Sequence, residues 1–147
     1  MGRPMLRDRP GLRVLVVEDN EDIADMLALL LERWGHQVTV RRDGLSGLDA
    51  GLSGSFDLAL LDLGLPELDG FELARRMRAA RGPETPVMIA ISGYAQPEDI
   101  EAARRAGFDR HVAKPVSERG IRRLLRMARR RKDSGTVTIS AELDDWR

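Results

Sequence analysis

The sequence predicts an α/β fold in which five parallel strands form one sheet with helices packed on both faces. Three observations carry this. Short apolar or β-branched runs alternate with stretches of helical periodicity five times along the chain. The runs at 56–61 and 86–91 are apolar at nearly every position, as strands buried on both faces are. The connections have the length of helical crossovers, which parallel neighbours require.

Residues 1–11 are basic, punctuated by Pro and Gly and without period, and read as a leader. Arg13–Val17 is a β-branched strand that stops abruptly at Glu18-Asp19-Asn20. Ile23, Leu27, Leu30, Leu31 and Trp34 then share one helical face, and Gly35 ends that helix. Val38 and Val40 alternate in a second strand; Asp43 can cap a short helix carrying Leu45, Leu48 and Leu52, which Ser53-Gly54-Ser55 breaks. Phe56–Leu61 is the third strand and ends in a carboxylate, Asp62. The Gly64–Gly70 loop leads into a helix from about Phe71, and Pro86–Ile91 is the fourth strand, ending at Ser92-Gly93. Ile100, Ala103 and Phe108 belong to the fourth helix and its exit, with Gly107 as the stop. Arg110–Ala113 is a short fifth strand before Lys114-Pro115, and Ser117 can cap a last helix carrying Ile121, Leu124, Leu125 and Ala128.

Composition excludes several classes. The chain has 147 residues, 42% of them hydrophobic, enough for one domain with a real core. Its longest apolar stretches, such as Leu58–Leu61, are strand-length, so no membrane span or membrane partner is expected. No basic start is joined to a long apolar run, so no signal peptide is expected. The absence of Cys excludes disulfide and thiol chemistry and fits a cytoplasmic protein. The formal net charge is zero but unevenly spread. Residues 119–132 hold Arg119, Arg122, Arg123, Arg126, Arg129, Arg130, Arg131 and Lys132 with no acid, whereas 133–147 hold Asp133, Glu142, Asp144 and Asp145 against Arg147.

The polar residues of interest fall at the carboxyl ends of strands: Glu18 and Asp19 after the first, Asp62 after the third, Ser92 after the fourth, Lys114 after the fifth. That edge of an open α/β sheet is where ligands bind. Two carboxylates about 5 Å apart at an effective dielectric of about 20 repel by roughly 3 kcal/mol. Glu18, Asp19 and Asp62 together therefore call for a cation, and Lys114 supplies too little charge. All-oxygen donors without Cys or a well-placed His favour Mg2+ over Zn2+. A carboxylate held in line with a phosphoryl group can act as nucleophile and form an acyl phosphate. Lys114 and the metal would neutralise the phosphoryl oxygens, and the Ser92 hydroxyl would donate to one of them.

Val14–Asn20 (VLVVEDN), Leu58–Gly70 (LALLDLGLPELDG), Ile89–Tyr94 (IAISGY) and Ala106–Val116 (AGFDRHVAKPV) stand in this order and spacing. With them the chain resembles the response-regulator receiver family of two-component signalling over residues 12–131. The resemblance implies a flavodoxin-like doubly wound sheet in the order 2-1-3-4-5. It also implies a phosphoacceptor that takes its phosphoryl group from a histidine kinase or histidine phosphotransfer protein, and that is not an enzyme in its own right. Asp62 is then the acceptor, Glu18 and Asp19 form the acidic metal pocket, and the backbone carbonyl of Gly64 completes it. Ser92 is the switch hydroxyl, Lys114 bridges to the phosphoryl group, and the Lys114-Pro115 peptide is often cis in the family. Activation would remodel the face of the fourth helix, fifth strand and last helix, which often dimerises in relatives with output domains, so a homodimer through it is one expectation. The departures are Glu18 where relatives often carry Asp, and His111 where they carry a switch Tyr or Phe; the His111 ring is expected to move inward when Ser92 engages the phosphoryl group.

Plainer readings exist for each residue. Asp62 can be a turn cap, Glu18-Asp19 an N-cap pair for the first helix, Ser92 a turn residue and Lys114 a solvated lysine. Their convergence on one edge favours the site. The arginine run reads as a solvated helix face rather than a nucleic-acid patch, because no docking fold or stacking platform accompanies it. Residues 132–147 read as a flexible tail, with an edge strand over Thr136–Ala141 as the alternative and Trp146 unplaced. That remainder is too short for an output domain, so the expected readout is a surface for a downstream protein. The alternatives are a receiver module of a hybrid histidine kinase and a receiver-like module that binds partners without phosphorylation. A haloacid-dehalogenase-like phosphatase is disfavoured because Gly64 stands where its second acid belongs.

Overall fold

The computed structural model of the chain describes residues 10–93 and 96–134. Its elements are β1 (Arg13–Val17), α1 (Glu21–Arg33), β2 (Gln37–Arg41), α2 (Gly44–Ser53), β3 (Leu58–Asp62), α3 (Gly70–Arg81), β4 (Val87–Ser92), α4 (Pro97–Ala106), β5 (Arg110–Ala113) and α5 (Glu118–Ser134). The five strands are all parallel, in the order β2-β1-β3-β4-β5. This is the doubly wound arrangement expected from the resemblance.

Strand periodicity sorts the core into two layers. Leu15, Val17, Ala59, Leu61, Met88 and Ala90 face α2, α3 and α4, where Leu73, Met77 and Ala103 meet them. Val14, Val16, Leu58, Leu60, Ile89 and Ile91 face α1 and α5, where Leu27, Leu31, Ile121 and Leu124 close over them. The predicted apolar faces of α1 and α5 are therefore the buried ones. Helices α1 and α4 stop at Gly35 and Gly107 as expected, with φ of 93° and 105°.

Helix α2 departs from expectation. Leu45 and Leu52 are 53% and 42% exposed, and the buried face consists of Gly44, Gly47, Ala50 and Gly51. A Cβ on Gly47 would lie 2.8 Å from Val17 Cγ1, and one on Gly51 would lie 2.9 Å from Met77 Cε. The helix thus approaches its neighbours too closely for side chains on that face; Leu45 and Leu52 turn outward, and of the three expected leucines only Leu48 packs, partly buried, against the core.

Smaller shifts have local causes. The third and fourth strands begin later than expected and take in Asp62 and Ser92, because their ladders run one residue further at the carboxyl edge, through Asp62↔Ile91 and Ser92↔Ala113. Ser117 caps α5 through Gly120 N–H at 3.0 Å, and the helix continues to Ser134, three residues past the expected end of the receiver body at 131. Pro10 and Gly11 are tied to the body: Arg129 donates to the Pro10 carbonyl at 2.6 Å, and a Cβ on Gly11 would collide with the Gly35 carbonyl. The edge strand suggested over Thr136–Ala141, Trp146, Tyr94 and residues 1–9 lie outside the described residues.

Candidate functional site

The carboxyl edge of the sheet gathers Glu18, Asp19, Asp62, Ser92 and Lys114. Parallel pairing of β1 with β3, and of β3 with β4, sets the ends of these strands side by side. Asn20 settles the competing reading of the first acids. Its side chain, not that of Glu18 or Asp19, caps α1 by accepting from Ile23 N–H at 3.0 Å. Glu18, 2% exposed, instead turns into the edge, where its Oε2 accepts from Asn20 N–H at 3.0 Å.

Oxygen atoms of Glu18, Asp19 and Asp62 all lie within 4.8 Å of one another. Lys114 Nζ stands 3.0 Å from Glu18 Oε1 and 3.5 Å from Asp62 Oδ2, so its single charge is shared between two acids. Burial foremost, and then the Glu18 charge, push the Asp62 carboxyl from its ordinary 3.8 up to about 6; a hydrogen bond from Gly64 N–H at 3.2 Å and the Lys114 charge only partly oppose them. Burial pulls the Lys114 ammonium down, but its hydrogen bond to Glu18 and the charges of Asp62 and Glu18 outweigh that and leave it above its ordinary value.

One cation among three acids therefore leaves repulsion unrelieved. Clustered carboxylate oxygens with no sulfur or imidazole donor fit a hard divalent cation. Among the described residues, Glu18, Asp19 and Asp62 form the cluster that could hold one.

Beside Asp62 opens a pocket of about 290 Å³ lined by Asp62, Leu63, Gly64, Phe71, Ser92, Gly93 and Asp99. Ser92 Oγ lies 2.9 Å from His111 Nε2 in a buried contact across β4 and β5. His111 is buried, 5% exposed, with its ring nitrogen against the Ser92 hydroxyl. The Lys114-Pro115 peptide is cis.

Phe71 and Asp99 were not singled out in the sequence. Asp99 had a signal: it falls in the first turn of α4, just after the loop that leaves Ser92. Asp109 was also missed. It is buried, accepts from Met88 N–H at 2.8 Å and pairs with Arg78 at 3.6 Å, which ties α3 to the start of β4 away from the acidic edge.

A five-stranded parallel sheet whose carboxyl edge carries an acidic trio, a lysine and a hydroxyl defines a receiver-type module. The family model for the response regulator receiver domain matches residues 14–126, and the chain belongs to that family. The chain is 36% identical over 136 residues to the uncharacterized transcriptional regulatory protein YkoG of Bacillus subtilis, covering 91% of this chain and 59% of YkoG. It thus spans well under two thirds of that relative. A CheY-like receiver domain protein from Methanospirillum hungatei superposes with a TM-score of 0.78 at 28% identity, covering 84% of this chain and 98% of that one. The receiver domain of a Pseudomonas aeruginosa sensor histidine kinase, with a magnesium ion coordinated in its active-site cleft, superposes with a TM-score of 0.73 at 30% identity, covering 79% and 95%. No helix among the described residues is long and apolar enough to cross a membrane.

Proposed function

We propose that this receiver takes a phosphoryl group onto Asp62 from the phosphohistidine of a histidine kinase or histidine phosphotransfer protein, and signals to a downstream protein by a change of shape. The observation that carries the reading is the setting of Asp62. Asp62 lines the pocket together with Ser92, with Lys114 Nζ 3.5 Å from its carboxylate and Glu18 and Asp19 beside it.

In the transfer, an Asp62 carboxylate oxygen attacks phosphorus as the phosphorus–nitrogen bond breaks. The electron pair leaves with the imidazole, and an acyl phosphate remains. Mg2+, when bound, would supply positive charge beside the phosphoryl oxygens. Asp19, Asp62, Glu18 and the Gly64 carbonyl are its proposed ligands. Lys114 offsets charge on the phosphoryl oxygens and Ser92 donates a hydrogen bond to one of them. The chain is thus a transient acceptor that assists its own phosphorylation and dephosphorylation, working in the cytoplasm, and not an enzyme with a separate substrate. The receiver body runs from residue 12 through α5.

The reading of the chain as a module of a hybrid histidine kinase draws support from its likeness to the receiver of the Pseudomonas sensor kinase. Both readings place the phosphoryl group on Asp62. The test is intact mass after incubation with Mg2+ and acetyl phosphate. A single phosphate-sized gain is expected in the wild type, absent in Asp62→Asn and lost with chelator. No gain under these conditions refutes the proposal and favours a module that binds partners without phosphorylation.

A further inference from the structure

Ser92 and His111 lie on adjacent parallel strands, with His111 paired to Ala90 and Ser92 to Ala113. Among the described residues, His111 Nε2 is the one hydrogen-bond partner of the Ser92 hydroxyl, at 2.9 Å. Ser92 also lines the pocket next to Asp62, together with Asp99. A hydroxyl has a single hydrogen to donate and two lone pairs to accept with, and a neutral imidazole donates from one nitrogen only. The 2.9 Å contact therefore permits two arrangements with opposite consequences.

If Nε2 is bare, Ser92 must donate to the ring, and it then presents only lone pairs to the pocket. A phosphoryl oxygen arriving at Asp62 would meet no donor there. If Nε2 carries the hydrogen, Ser92 accepts from the ring and its own hydrogen points into the pocket. The surrounding charge decides between them. Asp62 and Asp99 line that pocket, Glu18 and Asp19 stand beside Asp62, and the single charge of Lys114 offsets only part of theirs, so the positive end of the O–H dipole is drawn toward the pocket. Burial, outweighing the Asp99 charge, lowers the His111 pKa and so favours the neutral ring, which has one N–H to place.

We propose that His111 is a positioning residue: its Nε2–H donates to Ser92 Oγ and so holds the serine hydroxyl as a donor aimed at the phosphoryl group. An apolar aromatic at this position could not do this, because it has no ring nitrogen at Nε2. The direction of the hydrogen bond concerns the resting protein; only its consequence for transfer rests on Asp62 being the phosphoacceptor.

The first test is the tautomer of His111 in the 15N-labelled wild-type protein, read from imidazole nitrogen shifts at neutral pH. The expected result is a protonated Nε2 and a bare Nδ1, with the Nε2 signal displaced in Ser92→Ala. A protonated Nδ1 with a bare Nε2 overturns the proposal. The second test is the rate of phosphate gain from acetyl phosphate with Mg2+. His111→Phe is expected to slow it by about 2- to 12-fold, the range spanned by one neutral hydrogen bond. His111→Gln, which returns an N–H near the same reach, is expected to recover part of that loss. In a Ser92→Ala background His111→Phe should change nothing further. A role in packing alone predicts the reverse order, with Phe tolerated, Gln harmful and the Phe effect unaltered by Ser92→Ala; that result also overturns the proposal. A wild type that gains no phosphate sinks the phosphoacceptor reading, and the tautomer then decides the hydrogen-bond direction by itself.

Discussion

Replacing Asp62 with Asn is expected to make the metal-free protein more stable, although it removes the group on which the proposed function depends. The Asp62 carboxyl is raised from 3.8 to about 6, by burial first and by the Glu18 charge second. At about 1.4 kcal/mol per pKa unit, that rise corresponds to about 3 kcal/mol at face value. Solvent along the open edge screens part of it, and about 1–2 kcal/mol is the expected penalty in the folded state. The sign follows from proton binding. Between 3.8 and about 6 the folded chain holds a proton at Asp62 that the unfolded chain has released, so stability falls as pH rises through that window. Above it the penalty is complete, and below it the penalty is absent.

Asn carries no charge to penalise, and Lys114 keeps its 3.0 Å contact with Glu18, so the substitution strands no cation. Thermal and urea unfolding with chelator present, at about pH 7.5 and again at about pH 4, measure the difference. The Asn variant should melt about 3–10 °C above wild type at the higher pH, and the gap should close at the lower. Adding Mg2+ should stabilise the wild type by mass action and the variant less. An Asn variant no more stable than wild type at neutral pH, or one whose advantage persists unchanged in acid, would refute the account of the acidic edge.

Two further outcomes follow from the same geometry. Glu18→Gln removes a buried charge from the trio and should weaken Mg2+ binding by about tenfold or more, the scale of a lost charged contact, as measured by titration calorimetry. Gly70→Ala places a Cβ 2.4 Å from the Asp62 carbonyl oxygen, so it should cost about 1–3 kcal/mol in urea unfolding and slow phosphate gain by displacing the end of β3.

Much of this was legible along the chain. The alternation of Leu58 and Leu60 with Ala59 and Leu61 reflects a strand buried on both faces, and the same two-residue period assigns each side chain to its layer. Glu18, Asp62, Ser92 and Lys114 could be placed at one edge because each ends a strand, and parallel strands bring like ends together. These features depend on local order and on a topology with few alternatives.

What the sequence could not decide were contacts between groups far apart in the chain. Lys114 and Glu18 are 96 residues apart, and only the folded edge shows that the lysine divides its charge between Glu18 and Asp62. Asn20, rather than the acids before it, turned out to cap α1, because the Glu18 side chain turns into the carboxyl edge. The glycine face of α2 defeated the apolar pattern because its packing is set by Val17 and Met77, which lie on other elements. The Ser92–His111 hydrogen bond likewise depends on the register of β4 against β5. The sequence by itself determined which residues face the core and which reach the carboxyl edge, because periodicity and strand ends are properties of the local chain. Only the tertiary structure decided which of those edge residues touch, because distances between strands are set by packing and register, not by spacing along the chain.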